Sequence, residues 1–144
     1  MSKKTKVDKL ITDKVMSDYV KHINDSVTTS KDFKSGMDMI IYKTCALILK
    51  HGADKLGIKK VPTKNIVFYN KSTIHNIKTS FKKNIDETEM SYLVSVLQHV
   101  FHLIAVKAFD RTLQLEKKRV TFEHLVYVFE HNNNMKLLGK AIGF

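Results

Sequence analysis

The apolar residues of this chain recur at helical spacing, and the order of the segments they mark repeats. Thr12 is suited to cap a first helix in which Val15, Met16, Tyr19, Val20 and Ile23 share one stripe. The polar run Asn24-Asp25-Ser26 ends it. A longer helix is predicted over 30–56, with Phe33, Met37, Ile40, Ile41, Thr44, Ile48 and Gly52 at helical spacing and Gly57 as its stop. A basic loop through Lys59, Lys60 and Pro62 follows, and a short helix over 63–69 closes the first unit. The plan then recurs. A short helix over 73–81 leads through Lys82-Lys83-Asn84 to Asp86 and Glu87, acids that favour a helix N-terminus. A long helix over 87–115 contains neither Gly nor Pro, and a basic loop at 117–121 and a short helix over 122–130 complete the second unit. Short helix, long helix, basic loop, short helix thus occurs twice, with a period of roughly 60 residues.

The second long helix carries the strongest constraint. Leu93, Val94, Val96, Leu97, Val100, Phe101, Leu103, Ile104, Val106, Ala108 and Phe109 leave only a narrow polar stripe through Ser91, Ser95, Gln98, His99 and His102. A helix apolar on nearly every side has to be covered on nearly every side. Two short helices cover only part of its circumference, so the two halves of the chain are expected to fold together. Between them, Asn70-Lys71-Ser72 reads as the linker, and three residues reach about 10 Å at most.

Composition narrows the class. With 144 residues, 43% hydrophobic, five Gly, one Pro and no Trp, the chain is expected to be all-α with a real core. The formal net charge is +11 and the pI about 9.7. Residues 1–72 hold 15 Lys or Arg against 7 acids and residues 73–144 hold 10 against 7, so both halves are basic. A lysine-rich proteome would give a similar excess, but a polyanion is the partner class that such a charge attracts. The single Cys45 excludes an internal disulfide and fits a reducing compartment. The basic N-terminal stretch is followed by no signal-peptide core, and the longest apolar stretches are interrupted before membrane-spanning length, so a soluble intracellular protein is expected.

Little here points to catalysis. No Gly-rich phosphate loop, nucleophile motif or paired-carboxylate arrangement occurs. His99 and His102 stand at i and i+3 without a third ligand in reach, and helical zinc pairs usually use i and i+4. Met37, Met39 and Met90 read as core filler. No enzyme activity, cofactor, metal or small-molecule substrate is expected.

A set of motifs in the second half resembles a known family. Tyr92-Leu93-Val94-Ser95-Val96-Leu97, Lys117-Lys118-Arg119-Val120, His124-Leu125 and Lys136-Leu137-Leu138-Gly139-Lys140 are similar, in order and spacing, to the core of histone 2A over about residues 86–140. In the first half, Val27-Thr28-Thr29-Ser30-Lys31 and Gly52-Ala53-Asp54-Lys55-Leu56 are similar to histone 2B over about residues 15–69. The fused order resembles the histone doublets of some large DNA viruses, here in miniature. The resemblance implies a short basic tail (1–10), a histone 2B-like fold (11–70) and a histone 2A-like fold (71–144), joined as an intramolecular handshake dimer.

From that resemblance follow a partner and a set of site residues. Paired loops and helix N-termini at each end of the dimer would meet the phosphates of double-stranded DNA. One end would combine Lys59, Lys60 and Lys64 with Lys82 and Lys83, and the other Lys117, Lys118 and Arg119 with Lys31. Lys14, Lys21, Lys71 and Lys78 would supply a middle contact. Arg119 would enter an inward-facing minor groove, braced by Thr121, and His124 would hold local structure. Such contacts follow backbone and deformability rather than sequence, and one pair would organise on the order of 30 bp.

The resemblance further implies a histone 3/histone 4-like partner pair or doublet, no membrane partner, and location in a virion, viral factory or host nucleus, or otherwise in chromatin. Departures from the family are also expected to matter. Gln98, Leu103, Val106 and Asn132-Asn133-Asn134 stand where histone 2A has its acidic patch. The sequence ends at Phe144, four residues after Lys140, so the segment that docks histone 2A on the central tetramer is expected to be missing. A specialised or weakly wrapping variant is the expectation. The alternative is a histone-fold scaffold, such as a transcription-factor subunit, in which the fold serves protein assembly. A third possibility is an archaeal-like histone that oligomerises along DNA without a partner.

Overall fold

Helix starts are written into the residues just before them. In the computed structural model, which describes residues 9–52 and 66–144, the side chains of Thr12, Ser30, Asn70, Asp86 and Asn132 each accept the backbone N–H of the third helical residue. They open α1 (Asp13–Ile23), α2 (Lys31–His51), α3 (Lys71–Phe81), α4 (Glu87–Gln114) and α6 (Asn133–Ile142). At α5 (Phe122–His131) the reciprocal bond is made, Thr121 N–H donating to His124 Nδ1 at 3.1 Å. Two short strands, β1 (Thr28–Thr29) and β2 (Arg119–Val120), precede α2 and follow α4. The described residues are thus all-α but for that one β pair.

Several expectations about element ends need correction. The long helix predicted to Leu56 stops at His51, where Gly52 takes φ 86° as C-cap; Gly57, its expected stop, lies outside the described residues. Of the short helix predicted over 63–69, the described part is a turn, with Tyr69 N–H donating to the Ile66 carbonyl. Asn70, Lys71 and Ser72 are no linker, because they form the cap and first turn of α3. Helix α6 was not anticipated at all. Asn132 starts it after the C-terminal end of α5, and Leu138, Gly139 and Ile142 are buried.

α4 is the centre of the molecule. Its 28 residues bury Met90, Leu93, Val94, Val96, Leu97, Val100, Phe101, Ile104, Ala105, Ala108 and Phe109, which cover more than half of the helix circumference. α1, α2 and α5 pack on it, and α6 packs against α5 and α2. One buried cluster runs from Leu10 through Phe33, Ile40 and Phe101 to Ile142, joining both halves of the chain in one core. Contrary to the expectation of interrupted apolar stretches, α4 is long and apolar enough, by length and composition, to cross a membrane, with a mean hydropathy of 1.4. In the fold 61% of that window is buried, which is what a core helix of a soluble fold also shows.

The two long helices run in opposite directions. β1 and β2 pair in parallel, Thr28 opposite Arg119 and Thr29 opposite Val120, so the start of α2 lies beside the end of α4. Phe33 and Phe109, near those ends, have ring centroids 6.4 Å apart. Further along α2, Tyr42 stacks on Phe81 at 4.9 Å, just before α4 begins. α1 is held to α4 through Tyr19, whose ring meets Phe101 and Phe68 edge-on while its hydroxyl bonds His102 Nδ1 at 3.0 Å. Of the polar stripe of α4, His102 faces α1 and Gln98 faces the 66–69 turn, accepting the Phe68 N–H at 2.9 Å.

At Gly36 the contact between α2 and α5 is so close that an added Cβ would stand 2.8 Å from both Leu125 and Phe122 side-chain atoms. Gly36→Ala should therefore destabilise the protein by about 1–3 kcal/mol, as overpacking does. Urea unfolding measures this, and an unchanged or raised midpoint would show that the α2–α5 contact is looser than described.

Candidate nucleic-acid interface

The β pair brings two basic segments together. Thr28 N–H donates to the Lys118 carbonyl at 2.8 Å and Ser30 N–H to the Val120 carbonyl at 2.9 Å, which ties the segment before α2 to the segment after α4. Lys31, at the first position of α2, and Lys117, Lys118 and Arg119 thereby lie on adjoining segments, all four exposed. Among the described residues the ion pairs are Lys9 with Asp13 and Lys9 with Asp38, so these four cations are not ion-paired there.

The turn that sends Lys117–Arg119 back along β1 is made without glycine. Glu116 takes φ 58°, with its N–H donating to Leu113 O at 2.9 Å and Lys117 N–H to Thr112 O at 3.1 Å. That is a Schellman ending in a position where glycine is usual. Its cost in backbone strain is local, and it also adds an acid to a basic end.

Acids temper this end in a second way. Asp32 Oδ1 accepts the Phe122 N–H at 3.2 Å and bonds Ser30 Oγ, and the Ser30 bond in particular holds its carboxyl below the usual value. The first N–H of α5, expected to face phosphate, is therefore already occupied by a carboxylate from 90 residues away. Thr121 is the N-cap of α5, and no bond from it to Arg119 occurs among the described contacts.

The other expected site residues are dispersed. Lys59, Lys60 and Lys64 lie outside the described residues, so their expected union with Lys82 and Lys83 is not among the described contacts. Lys82, at φ 51° the C-cap of α3, and Lys83 are exposed. Lys14 and Lys21 sit in the first and last turns of α1, and Lys71 and Lys78 in those of α3, all exposed. Asn76 Nδ2 donates to the Leu10 carbonyl at 3.2 Å, which brings the residues before α1 to the middle of α3.

Some functional candidates escaped the sequence. Arg111 lies 3.8 Å over the Tyr127 ring, and Tyr127 stacks on His131 at 4.0 Å. With Lys107 they border a groove of about 190 Å³. The i, i+4 spacing of Tyr127 and His131 is readable in the chain, but the approach of α4's Arg111 is not. Among the described residues no group of three or more His, Cys, Asp or Glu could hold a metal ion. Burial, then His102, lowers the pKa of His99. Cys45 is fully buried, and burial pushes its thiol up to about 12.

His124 braces the base of the Lys117–Arg119 loop. The Thr121 N–H donates to Nδ1 at 3.1 Å, the arrangement of a neutral ring that accepts there, and the Thr112 hydroxyl, which donates to the Ala108 carbonyl, lies 2.8 Å from the same nitrogen. Burial, reinforced by Lys117, lowers its pKa. Comparison with family models, curated proteins and solved structures finds no match for this chain.

Because the folded ring resists protonation, the unfolded chain takes up this proton first as pH falls below about 6.5, and stability declines from there to the folded pKa. An NMR titration should show the His124 ring changing below the ordinary histidine value. A midpoint at or above that value would mean that Nδ1 is not the acceptor described.

Proposed function

We propose that this chain is a histone-like DNA-packaging protein: two histone folds in tandem, paired within one chain, that bind duplex DNA through its backbone without reading sequence. What supports this is the parallel pairing of Thr28–Thr29 with Arg119–Val120, which sets Lys31, Lys117, Lys118 and Arg119 on adjoining segments at one end of two antiparallel long helices. Four neighbouring exposed cations suit a row of phosphates, and Arg119 has the planar fork that bridges phosphate oxygens. The fold class and the net charge of +11 agree with this. The protein acts with a histone 3/histone 4-like pair or doublet in a nucleosome-like particle, in a virion, viral factory or nucleus, and catalyses no reaction. The remaining DNA contacts in the proposal are Lys14, Lys21, Lys71, Lys78, Lys82 and Lys83, with Lys59, Lys60 and Lys64 on the segment outside the described residues.

A second reading, the protein–protein scaffold, draws on one observation. Asp32 occupies the first α5 N–H, and Glu116 and Glu123 are exposed nearby in sequence to the same loop, so this end is less positive than its lysines suggest.

Binding to unrelated duplexes of about 30 bp across a salt series separates the two. Packaging requires affinity that ignores sequence and falls steeply with salt, with a slope that counts the phosphates neutralised. Arg119→Ala should weaken all duplexes alike and flatten the slope by about one phosphate. Asp32→Asn should strengthen binding, because it removes a like charge from the phosphate path. Negligible binding at low salt by the folded protein would leave the scaffold as the function.

A further inference from the structure

One surface groove of this basic protein is lined with acid. It lies where the first turns of α2 meet the start of α5 and the segment before α1, with a volume of about 550 Å³. Asp32 and Asp38 line it along with Met39, Phe122 and Lys9. Met39, expected as core filler, is only half-buried here. Gly36 lets the Phe122 ring sit directly on the α2 backbone, so an aromatic surface borders the carboxylates.

Asp38 is the informative residue. It is only 8% exposed, and its Oδ1 is buried with no hydrogen-bond partner among the described residues. Its Oδ2 lies 3.9 Å from Lys9 Nζ, beyond hydrogen-bond length. Lys9 meanwhile holds both oxygens of Asp13 at 3.0 Å, so the nearest cation is committed elsewhere. Burial pushes the Asp38 carboxyl up to about 6 against the lowering pull of Lys9, which still leaves it mostly ionised at pH 7. A mostly buried carboxylate on the wall of a groove, with one oxygen lacking a donor and the other beyond hydrogen-bond length of its nearest cation, is a site short of a donor.

We propose that this groove receives one arginine side chain from a basic segment of a partner protein. A guanidinium presents several N–H donors in a planar fork, which suits Asp38 Oδ2, the carboxylate oxygen not enclosed by the fold. Its flat face suits the Phe122 ring, and its methylenes suit Met39. A hard divalent cation would need more oxygen ligands than two carboxylates, and apolar walls do not supply them. Asp32 borders both this groove and the proposed DNA path, whereas Asp38 belongs to the groove alone, so Asp38→Asn tests this site separately from the DNA reading.

The test is an NMR titration of the ¹⁵N-labelled full chain. The probe is an acetylated, amidated nonapeptide of alanine and serine with one central arginine, set against the same peptide with glutamine at that position. Saturable shifts should centre on the amides of Gly36, Met39 and Phe122, and the glutamine peptide should bind about tenfold more weakly or worse. Asp38→Asn keeps the shape and should also cost about tenfold, since a charged hydrogen bond is lost. Lys9→Ala, at an exposed residue, removes a competing cation and should tighten binding severalfold. Equal affinity for the two peptides, shifts that do not saturate, or an Asp38→Asn affinity like that of the parent overturns the proposal. An unchanged or weaker affinity in Lys9→Ala overturns it as well. Self-association that Asp38→Asn abolishes, without peptide binding, would give the groove to a second copy of this chain and exclude the partner proposed.

Discussion

The structure depends on covering one helix. α4 is apolar around more than half of its circumference, and no single neighbour can shield it. α2 and α1 from the first half and α5 from the second do so together, and α6 closes over α2 and α5. The chain therefore folds as one core, because leaving either half off would expose a large strip of Leu, Val and Phe side chains to water. The antiparallel course of α2 and α4 follows from the same requirement, since it lays the second long helix along the first.

That packing is what creates the candidate interface. Once α2 starts where α4 ends, the residues before one and after the other are neighbours, and their unpaired backbone groups bond each other as β1 and β2. The cations on those segments are then adjacent because of the core. His124 and Thr112 anchor the loop from beneath, and Asp32 crosses from α2 to cap α5. The same junction makes the acidic groove: the Phe122 ring reaches Gly36 because α5 starts against α2, and Asp32 and Asp38 of α2 line the groove beside that ring. Basic rim and acidic groove are two sides of one helix junction.

Much of this was legible from local residues. A cap acts within one helical turn, so Thr12 and the Asp86-Glu87 pair marked helix starts that the structure has at Asp13 and Glu87. The stop at Asn24-Asp25-Ser26 was equally local, with Asn24 Oδ1 accepting the Ser26 N–H at 2.9 Å. Where two local signals competed, the reading slipped. Gly52 continues the helical spacing of α2, yet its freedom to adopt φ 86° ends the helix there. Asn132 was read as part of a changed surface, but its side chain caps α6 through Met135 N–H at 3.1 Å.

By itself the sequence determined an all-α chain, the places where most helices begin, a central helix needing cover from both halves, and a strong positive charge, because each rests on composition or on spacing within a few residues. Tertiary structure alone decided the rest. The pairing of Thr28 with Arg119, the bond from Asp32 to the Phe122 N–H, the stack of Arg111 on Tyr127 and the burial of Asp38 all join or enclose residues on different elements. Such contacts depend on which helix faces meet and at what register, and that is set only when the whole core closes at once.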